Sequence, residues 1–257
     1  MEQIIYESIL LLFVYYLIFF IVGTLIKNNS IVDIGWGIGF VIVAWYTTVR
    51  TGNFGGANLL VTLLISIWGL RLFYHIIRRN LGKPEDFRYA KWRKEWGKWH
   101  IPRAFLQVYI LQGFFLYLIA LPIILLNRGE VASISMLGII GLVVWIIGFF
   151  FESVGDHQLK KYKENPENKG KIMRYGLWKY TRHPNYFGEA TMWWGLAFIA
   201  LGGGVSLMVL ISPLLITYLV RFVSGVPMLE KSFKDRPGFK EYQEATNAFI
   251  PWFPKKK

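Results

Sequence analysis

The sequence predicts an all-α integral membrane protein: a bundle of seven transmembrane helices, N-terminus outside and C-terminus in the cytoplasm. Three observations lead there. Of 257 residues, 54% are hydrophobic, and they arrive in long blocks rather than at short periods, which separates a membrane chain from a soluble one. The 29 Lys and Arg gather between those blocks, as orientation signals do. An uncharged run over 190–220 is 31 residues long and contains Gly202, Gly203 and Gly204, so it reads as two helices rather than one.

A helix needs about 20 apolar residues to cross roughly 30 Å of hydrocarbon. Segments near 4–26, 31–50, 59–77, 104–126, 132–152, 184–202 and 205–223 meet that length. The first is long, and Glu2 and Glu7 stand where a signal peptide has basic residues, so a retained helix is expected. Between the third and fourth spans, Trp92, Trp96 and Trp99 recur at helical spacing among Lys91, Arg93, Lys94 and Lys98. That pattern predicts a short helix lying in the interface, its indoles at headgroup level. The last two spans form a hairpin, because three successive glycines disfavour helix and permit a tight turn. Pro184 suits the first turn of the sixth span, where its missing N–H is not needed.

Charge fixes the orientation. Segments 78–103, 154–182 and 221–257 hold nine, eight and eight Lys or Arg, and Lys27 adds one. Seven spans put all of these on one side and leave Arg50 and Arg128 on the other. The positive-inside rule makes the rich side cytoplasmic. The same clustering argues that the net charge of +13 serves orientation, and no nucleic-acid partner is expected. There is no cysteine, hence no disulfide, thiolate nucleophile or Cys metal site. The four histidines are scattered without metal spacing, so no metal is expected.

In this topology the ionisable residues in or beside the spans share one depth. Asp33, Arg71, His75, Glu152, Glu189 and Arg221 all fall in the cytoplasmic half, and ionisable groups there default to a functional reading. Arg71 and Arg221 also fit simple snorkelling. The short carboxylates fit it less well, and the expectation is a polar cavity open to the cytoplasm. Such a cavity suits an anionic soluble cofactor and a lipophilic substrate entering from the membrane. The junction at 182–189, Arg182-His183-Pro184-Asn185-Tyr186-Phe187-Gly188-Glu189, is the leading candidate site. The free N–H groups and positive dipole end of the sixth span would face Arg182 and His183 there. Asn185 and Glu189 lie four apart, on one helix face, and together offer the donors and acceptors that a carboxamide requires. The basic loop before them, with Lys160, Lys163 and Arg174, can hold phosphates. The glycines at 35, 37 and 39 lack dinucleotide-fingerprint spacing and follow no strand, so a Rossmann reading fails.

The C-terminal 110 residues resemble the steroid 5α-reductase superfamily, most closely its bacterial branch. The resemblance is carried by Gly176-Leu177-Trp178-Lys179-Tyr180-Thr181 leading into the 182–189 motif, by 224–230 (Ser-Gly-Val-Pro-Met-Leu-Glu) and by 248–254 (Ala-Phe-Ile-Pro-Trp-Phe-Pro). The superfamily includes sterol C14 reductases and, more distantly, isoprenylcysteine carboxyl methyltransferases. It implies a helical membrane fold with its cofactor on the cytoplasmic side, here in a bacterial inner membrane. The methyltransferases share Arg-His-Pro-x-Tyr and bind S-adenosylmethionine. The reductases add the Asn and the acidic residue and bind NADPH, and this chain has both.

By that resemblance, Asn185 and Glu189 meet the nicotinamide end. Asp156, Lys160 and Lys163 hold adenosine and phosphates, and Arg174, Arg182, His183, Tyr186 and Arg221 complete the cofactor site. The reductases' early Gln-Glu pair is missing, and Gly69 falls where their substrate-binding Tyr stands. Asp33 and Tyr74 are the nearest candidates for the catalytic acid. The expected layout is a single membrane domain over 1–257, with 1–126 on the substrate side and 132–257 on the cofactor side. The expected activity is NADPH-dependent reduction of an enone-type carbon–carbon double bond in a lipophilic, steroid- or isoprenoid-like substrate. A membrane methyltransferase and a non-enzymatic lipid-binding protein are the alternatives.

Overall fold

A computed structural model describes residues 2–80 and 82–255. Among them there are helices and turns and no strand. Six stretches are long and apolar enough to cross a membrane: Gln3–Leu25, Ile31–Thr51, Gly56–Asn80, Phe87–Ile119, Met136–Glu164 and Leu207–Phe233. They fit an integral membrane protein. The chain divides into two compact units, Met1–Ser135 with Ala200–Val209, and Met136–Ile199 with Leu210–Lys257.

The first unit holds α1 (Gln3–Leu25), α2 (Ile31–Thr51), α3 (Gly56–Asn80), α4 (Phe87–Trp96), α5 (His100–Ala104), α6 (Leu111–Ile119) and α7 (Leu121–Arg128). Its core is aromatic and aliphatic, with Tyr16, Phe40, Ile65, Trp68, Tyr109 and Ile123 buried. Outward faces carry large apolar side chains such as Leu10, Leu25 and Ile67, as a hydrocarbon solvent permits. α4 is the short helix that the Trp pattern predicts. It is pinned to the start of α2: Arg88 donates to Asp33 at 2.9 Å and Tyr89 donates to Asp33 at 2.7 Å. Arg93 pairs with Glu85, which also accepts from the Asn29 backbone at 2.8 Å.

The expected single span 104–126 is interrupted. A π-helical stretch, Phe105–Ile110, joins α5 to α6, and the helix breaks at Ala120 before α7. Pro122 in the first turn of α7 accounts for the break, since a proline ring clashes with the preceding turn. Asn58, Asn127, Thr47, Thr48 and Thr62 form a buried hydrogen-bonded cluster that ties α2, α3 and α7.

The second unit contains α8 (Met136–Glu164), most of α9 (Pro184–Gly202), α10 (Ile211–Tyr218), α11 (Val226–Phe233) and α12 (Phe239–Ala245). α9 has the bounds the sequence predicts, with Pro184 first and the glycine turn after it. Gly204 takes φ 84°, a conformation in which a Cβ is costly. α10 continues through a π-helical turn, Leu219–Val223. α8 runs past its expected end at 152 to Glu164, because the residues there (His-Gln-Leu-Lys-Lys-Tyr-Lys-Glu) are compatible with helix and simply leave the apolar region.

A glycine seam joins α8 and α9. Gly141, Gly148 and Gly155 recur every seven residues on one helix, and Gly188 and Gly195 do so on the other. A Cβ on Gly148 would stand 2.6 Å from the Gly188 carbonyl oxygen, and one on Gly188 would stand 2.4 Å from the Glu152 nitrogen. One turn-pair further, Gly141 and Gly195 each face the other's carbonyl at 2.6 Å. The backbones touch, leaving no room for a side chain. In the first unit, Gly37 and Gly69 meet in the same way, again at 2.6 Å. Gly188→Val should therefore cost at least the ~1–3 kcal/mol of an overpacked core. Thermal unfolding in detergent measures this, with the uncrowded Gly129→Ala as a control that stays within about 0.5 kcal/mol.

Candidate functional site

The residues of the 182–189 motif sit where the loop after α8 becomes α9, and the C-terminal segment holds that loop in place. The Arg182 backbone N–H donates to the Asn247 carbonyl at 2.9 Å, and the Trp252 N–H donates to the Tyr180 carbonyl at 2.9 Å. Thr181 Oγ1 donates to the Phe249 carbonyl at 2.8 Å. The Tyr242 hydroxyl donates to the Trp178 carbonyl, while Trp178 Nε1 donates to the Gly155 carbonyl of α8 at 3.1 Å.

Arg182 is engaged on every side. Its Nε donates to Glu230 Oε1 at 2.8 Å and its Nη2 to Glu230 Oε2 at 3.2 Å. Nη1 reaches the Gln243 carbonyl at 3.1 Å and the Thr246 carbonyl. The bidentate fork gives this pair geometry as well as charge. Glu230 also bonds His183 Nε2 at 3.0 Å and accepts from Gln243 Nε2 at 2.8 Å. His183 is 2% exposed and stacks on Tyr186, ring centroids 5.4 Å apart. Its Nδ1 is buried with no hydrogen-bond partner. Burial lowers the His183 pKa, Arg182 and Arg221 push the same way, and the bond to Glu230 opposes them. Glu230 is the residue that sequence reasoning left without a role. Its signal was a single carboxylate following the Val-Pro-Met-Leu segment, and only the fold brings it 48 residues back to Arg182.

On the next turn, Asn185 Nδ2 donates to Asp156 Oδ1 at 3.2 Å. The other end of that amide, Asn185 Oδ1, is buried without a partner. The glycine seam sets this register: a Cβ on Gly155 would lie 3.1 Å from the Pro184 ring.

Two cavities flank the motif. One, of about 390 Å³, is walled by Tyr162, Lys163, Lys169, Lys171, Arg182, His183, Phe233, Arg236, Phe239 and Tyr242 among others. The second, of about 560 Å³, is lined by Phe187, Thr191, Trp194, Thr217, Arg221, Phe222 and 247–250. Of the expected cofactor residues, Lys163, Arg182 and His183 line the first and Arg221 the second. Asp156, Lys160, Arg174, Asn185, Tyr186 and Glu189 line neither. Arg174 donates to the Gly238 carbonyl and lies over the Tyr242 ring at 5.6 Å. Lys160 is exposed, 3.8 Å from Glu164.

The two candidates for a catalytic acid lie in the first unit, and no hydrogen bond joins them among the described residues. Asp33 is held by Arg88 and Tyr89 as described above. Tyr74 is 58% exposed and accepts from Arg78 at 2.7 Å. A Cβ on Gly69 would meet the Gly37 carbonyl oxygen at 2.6 Å, so no side chain fits at that position. No group of three or more metal-binding side chains occurs among the described residues.

An all-helical membrane chain with a polar cluster where α8 meets α9 defines the class. Residues 19–246 match the family described as "Protein of unknown function (DUF1295)", and the chain belongs to that family. An uncharacterized protein of Schizosaccharomyces pombe is 26% identical over 255 residues, covering 88% of this chain and 73% of that one. The 3-oxo-5-alpha-steroid 4-dehydrogenase 1 of Mus musculus is 37% identical over 57 residues, 22% of each chain. A probable O-methyltransferase of Ustilaginoidea virens is 38% identical over 63 residues, 24% of this chain and 22% of that one. The steroid 5α-reductase resemblance of the motifs is thus borne out, though its matches span less than a quarter of those relatives. No solved structure matches.

Two predictions follow from the Arg182–His183–Glu230 cluster. Glu230→Ala leaves the Arg182 guanidinium, 10% exposed, without its counter-ion. Breaking a buried pair from one side costs about 3–5 kcal/mol, so the variant should unfold at markedly lower temperature, and Arg182→Met/Glu230→Leu should recover part of the loss. For His183, the folded pKa lies below its ordinary value, so the unfolded chain binds more protons between the two. The stability held by the neutral ring is complete above about pH 6.5 and is lost as pH falls below it. A melting-temperature profile should drop there in the parent and be flatter in His183→Gln.

Proposed function

We propose that the chain is an NADPH-dependent membrane reductase of a carbon–carbon double bond in a lipophilic substrate, working at the cytoplasmic side of a bacterial inner membrane. In this reading α9 completes a set of seven crossings, with the N-terminus outside and the basic segments inside, as the positive-inside rule requires. The observation that carries it is the Asn185 amide. One end is tied to Asp156 and the other is a buried acceptor with no partner. Leaving such an acceptor unmet costs about 1–3 kcal/mol, and the N–H of a nicotinamide carboxamide answers it.

The donor set fits the cofactor in kind. Asn185 and Glu189 would orient the carboxamide. Lys163, Lys169 and Arg236 at the smaller cavity, with Lys160 on the exposed face of α8 nearby in sequence, would hold phosphates, and Tyr162 and Phe239 offer ring faces for adenine. Arg182 would act through His183, holding its ring against Tyr186 and excluding water from the inner wall. Bound NADPH supplies hydride to the β-carbon of an activated alkene. The chain's share is to hold a proton near the substrate carbonyl, at Tyr74 Oη or on a group beside Asp33, and to stabilise the charge that develops there. The steroid dehydrogenase matches support the reading, and the probable O-methyltransferase match keeps an S-adenosylmethionine-dependent membrane methyltransferase as the second.

Thermal unfolding of the purified chain in neutral detergent separates them. NADPH at about 100 times its Kd should stabilise by about 2.7 kcal/mol. Asn185→Ala and Glu189→Ala should abolish that protection while expressing normally. Protection by S-adenosylmethionine alone would sink the reductase reading, and NADPH protection unchanged in both variants would sink the assignment of the cofactor to Asn185 and Glu189.

A further inference from the structure

The larger cavity does not resemble a dinucleotide site. Its walls are apolar, with Phe187, Trp194, Phe222 and Phe249 among them. Arg221 is the one ionisable side chain in its lining. Among the described residues Arg221 has no hydrogen bond or ion pair. Its nearest interaction is with the ring of its own neighbour Phe222, at 5.0 Å. It is partly exposed, and its forked donors are left open to an anion. It differs in this from Arg182, four of whose five N–H donors are engaged within the protein.

Two further features point to a ligand. Arg221 sits in the π-helical turn Leu219–Val223, and such turns are frequent at functional sites. Thr217, four residues earlier on the same wall, accepts from Trp194 Nε1 at 3.3 Å. That bond leaves the Thr217 hydroxyl proton for a second acceptor. The rim is apolar and open: Phe222 is 61% and Ile250 65% exposed, and Tyr218, one turn before Phe222, is 57% exposed.

We propose that this cavity binds a long-chain carboxylate, with its head between Arg221 and Thr217 and its tail leaving past Phe222 and Ile250 toward hydrocarbon. One fork-shaped cation and one hydroxyl match a single negative charge with two oxygens. A phosphate monoester carries about −1.5 to −2 at neutral pH and would call for more cations than this wall has. At about 560 Å³ the cavity falls in the size range of small-molecule sites. The site rests on the reductase reading only for its consequence, that the substrate class would be a lipid acid; the binding stands without it. The motif resemblance assigns Arg221 to the cofactor instead, and the two assignments predict different losses.

The test is quenching of tryptophan fluorescence in the full chain, in neutral detergent, by dibromostearic acid, dibromostearyl alcohol and dibromostearyl phosphate, with inorganic phosphate as competitor. The acid should quench at about a tenth of the alcohol's concentration or less, a difference of ~1.4 kcal/mol or more. Trp194→Phe should remove the acid-specific part, Arg221→Gln should erase the preference and Arg221→Lys should keep some of it. Equal quenching by acid and alcohol in the parent, preference for the phosphate, displacement by inorganic phosphate, or a preference that survives Arg221→Gln would each overturn the proposal. NADPH protection is measured on the same preparations. Its presence without an acid preference sinks this inference alone, and an acid preference without it sinks only the reductase reading. Loss of NADPH protection in Arg221→Gln with the acid preference intact returns Arg221 to the cofactor.

Discussion

The backbone contact between α8 and α9 is the constraint on which the second unit depends. Inside hydrocarbon, helices gain nothing from burying apolar surface against one another, because lipid is as apolar as leucine. What holds them is close packing, and glycine permits the closest. With Gly148 against Gly188 and Gly141 against Gly195, the two backbones lie within reach of Cα–H···O contacts, each worth about 0.5–1 kcal/mol. The seven-residue repeat keeps the seam on one face over several turns, as in left-handed helix pairs. The contact also fixes register. Glu152 lies beside the Gly188 backbone, Gly155 beside Pro184, and Asp156 beside Asn185. A shift of one turn would separate the Asp–Asn pair.

The seam explains the rest of the motif by extension. Pro184 starts α9 against Gly155, so Arg182 and His183 must lie just outside the helix, where the C-terminal segment meets them. Glu230 and the Gln243 and Thr246 carbonyls then take four of the five N–H donors of Arg182. The two arginines nearest the motif consequently differ in kind. Arg182 has its charge balanced by Glu230 and four of its five donors used within the protein. Arg221 keeps both charge and donors, and it faces a cavity. A motif comparison treats both as cofactor contacts because it sees residue types and not their partners.

Much of this architecture was readable from sequence, and the failures have specific causes. The bounds of α9 were legible because Pro184 and Gly202–Gly204 are local signals, each acting within its own turn. The tryptophan helix was legible because its period is 3.6 and its charges are regular. The extension of α8 to Glu164 was not, because hydropathy reports where a helix leaves the apolar region and not where it ends. The break at Ala120 was missed although Pro122 announces it, since the apolar run continues without interruption. Within the site, the Asn185 face was legible from spacing. The Asp156–Asn185 bond and the role of Glu230 were not, because both arise from pairings 29 and 47 or more residues apart. The glycine repeat was visible in the sequence too, but its meaning depends on a partner helix carrying the same period.

The Asp156–Asn185 bond has a chemical consequence beyond geometry. A carboxylate accepts and does not donate, so it must face the amide's N–H₂; the opposite orientation would set oxygen against oxygen. Asp156 therefore decides that Asn185 presents its carbonyl oxygen away from α8. Whatever satisfies that oxygen must bring a proton. A ketone or a phosphate cannot, which removes the reducible carbonyl of a substrate and the diphosphate of a cofactor from this position. A carboxamide N–H₂ can, and so can the ammonium group of an amino acid. In the reductase and methyltransferase readings alike, the reactive end of the cofactor carries such a donor, and Glu189, one turn along α9, would tell the two readings apart. An ammonium beside Glu189 would form an ion pair that Glu189→Gln weakens strongly, whereas a neutral carboxamide would lose only one of its acceptors.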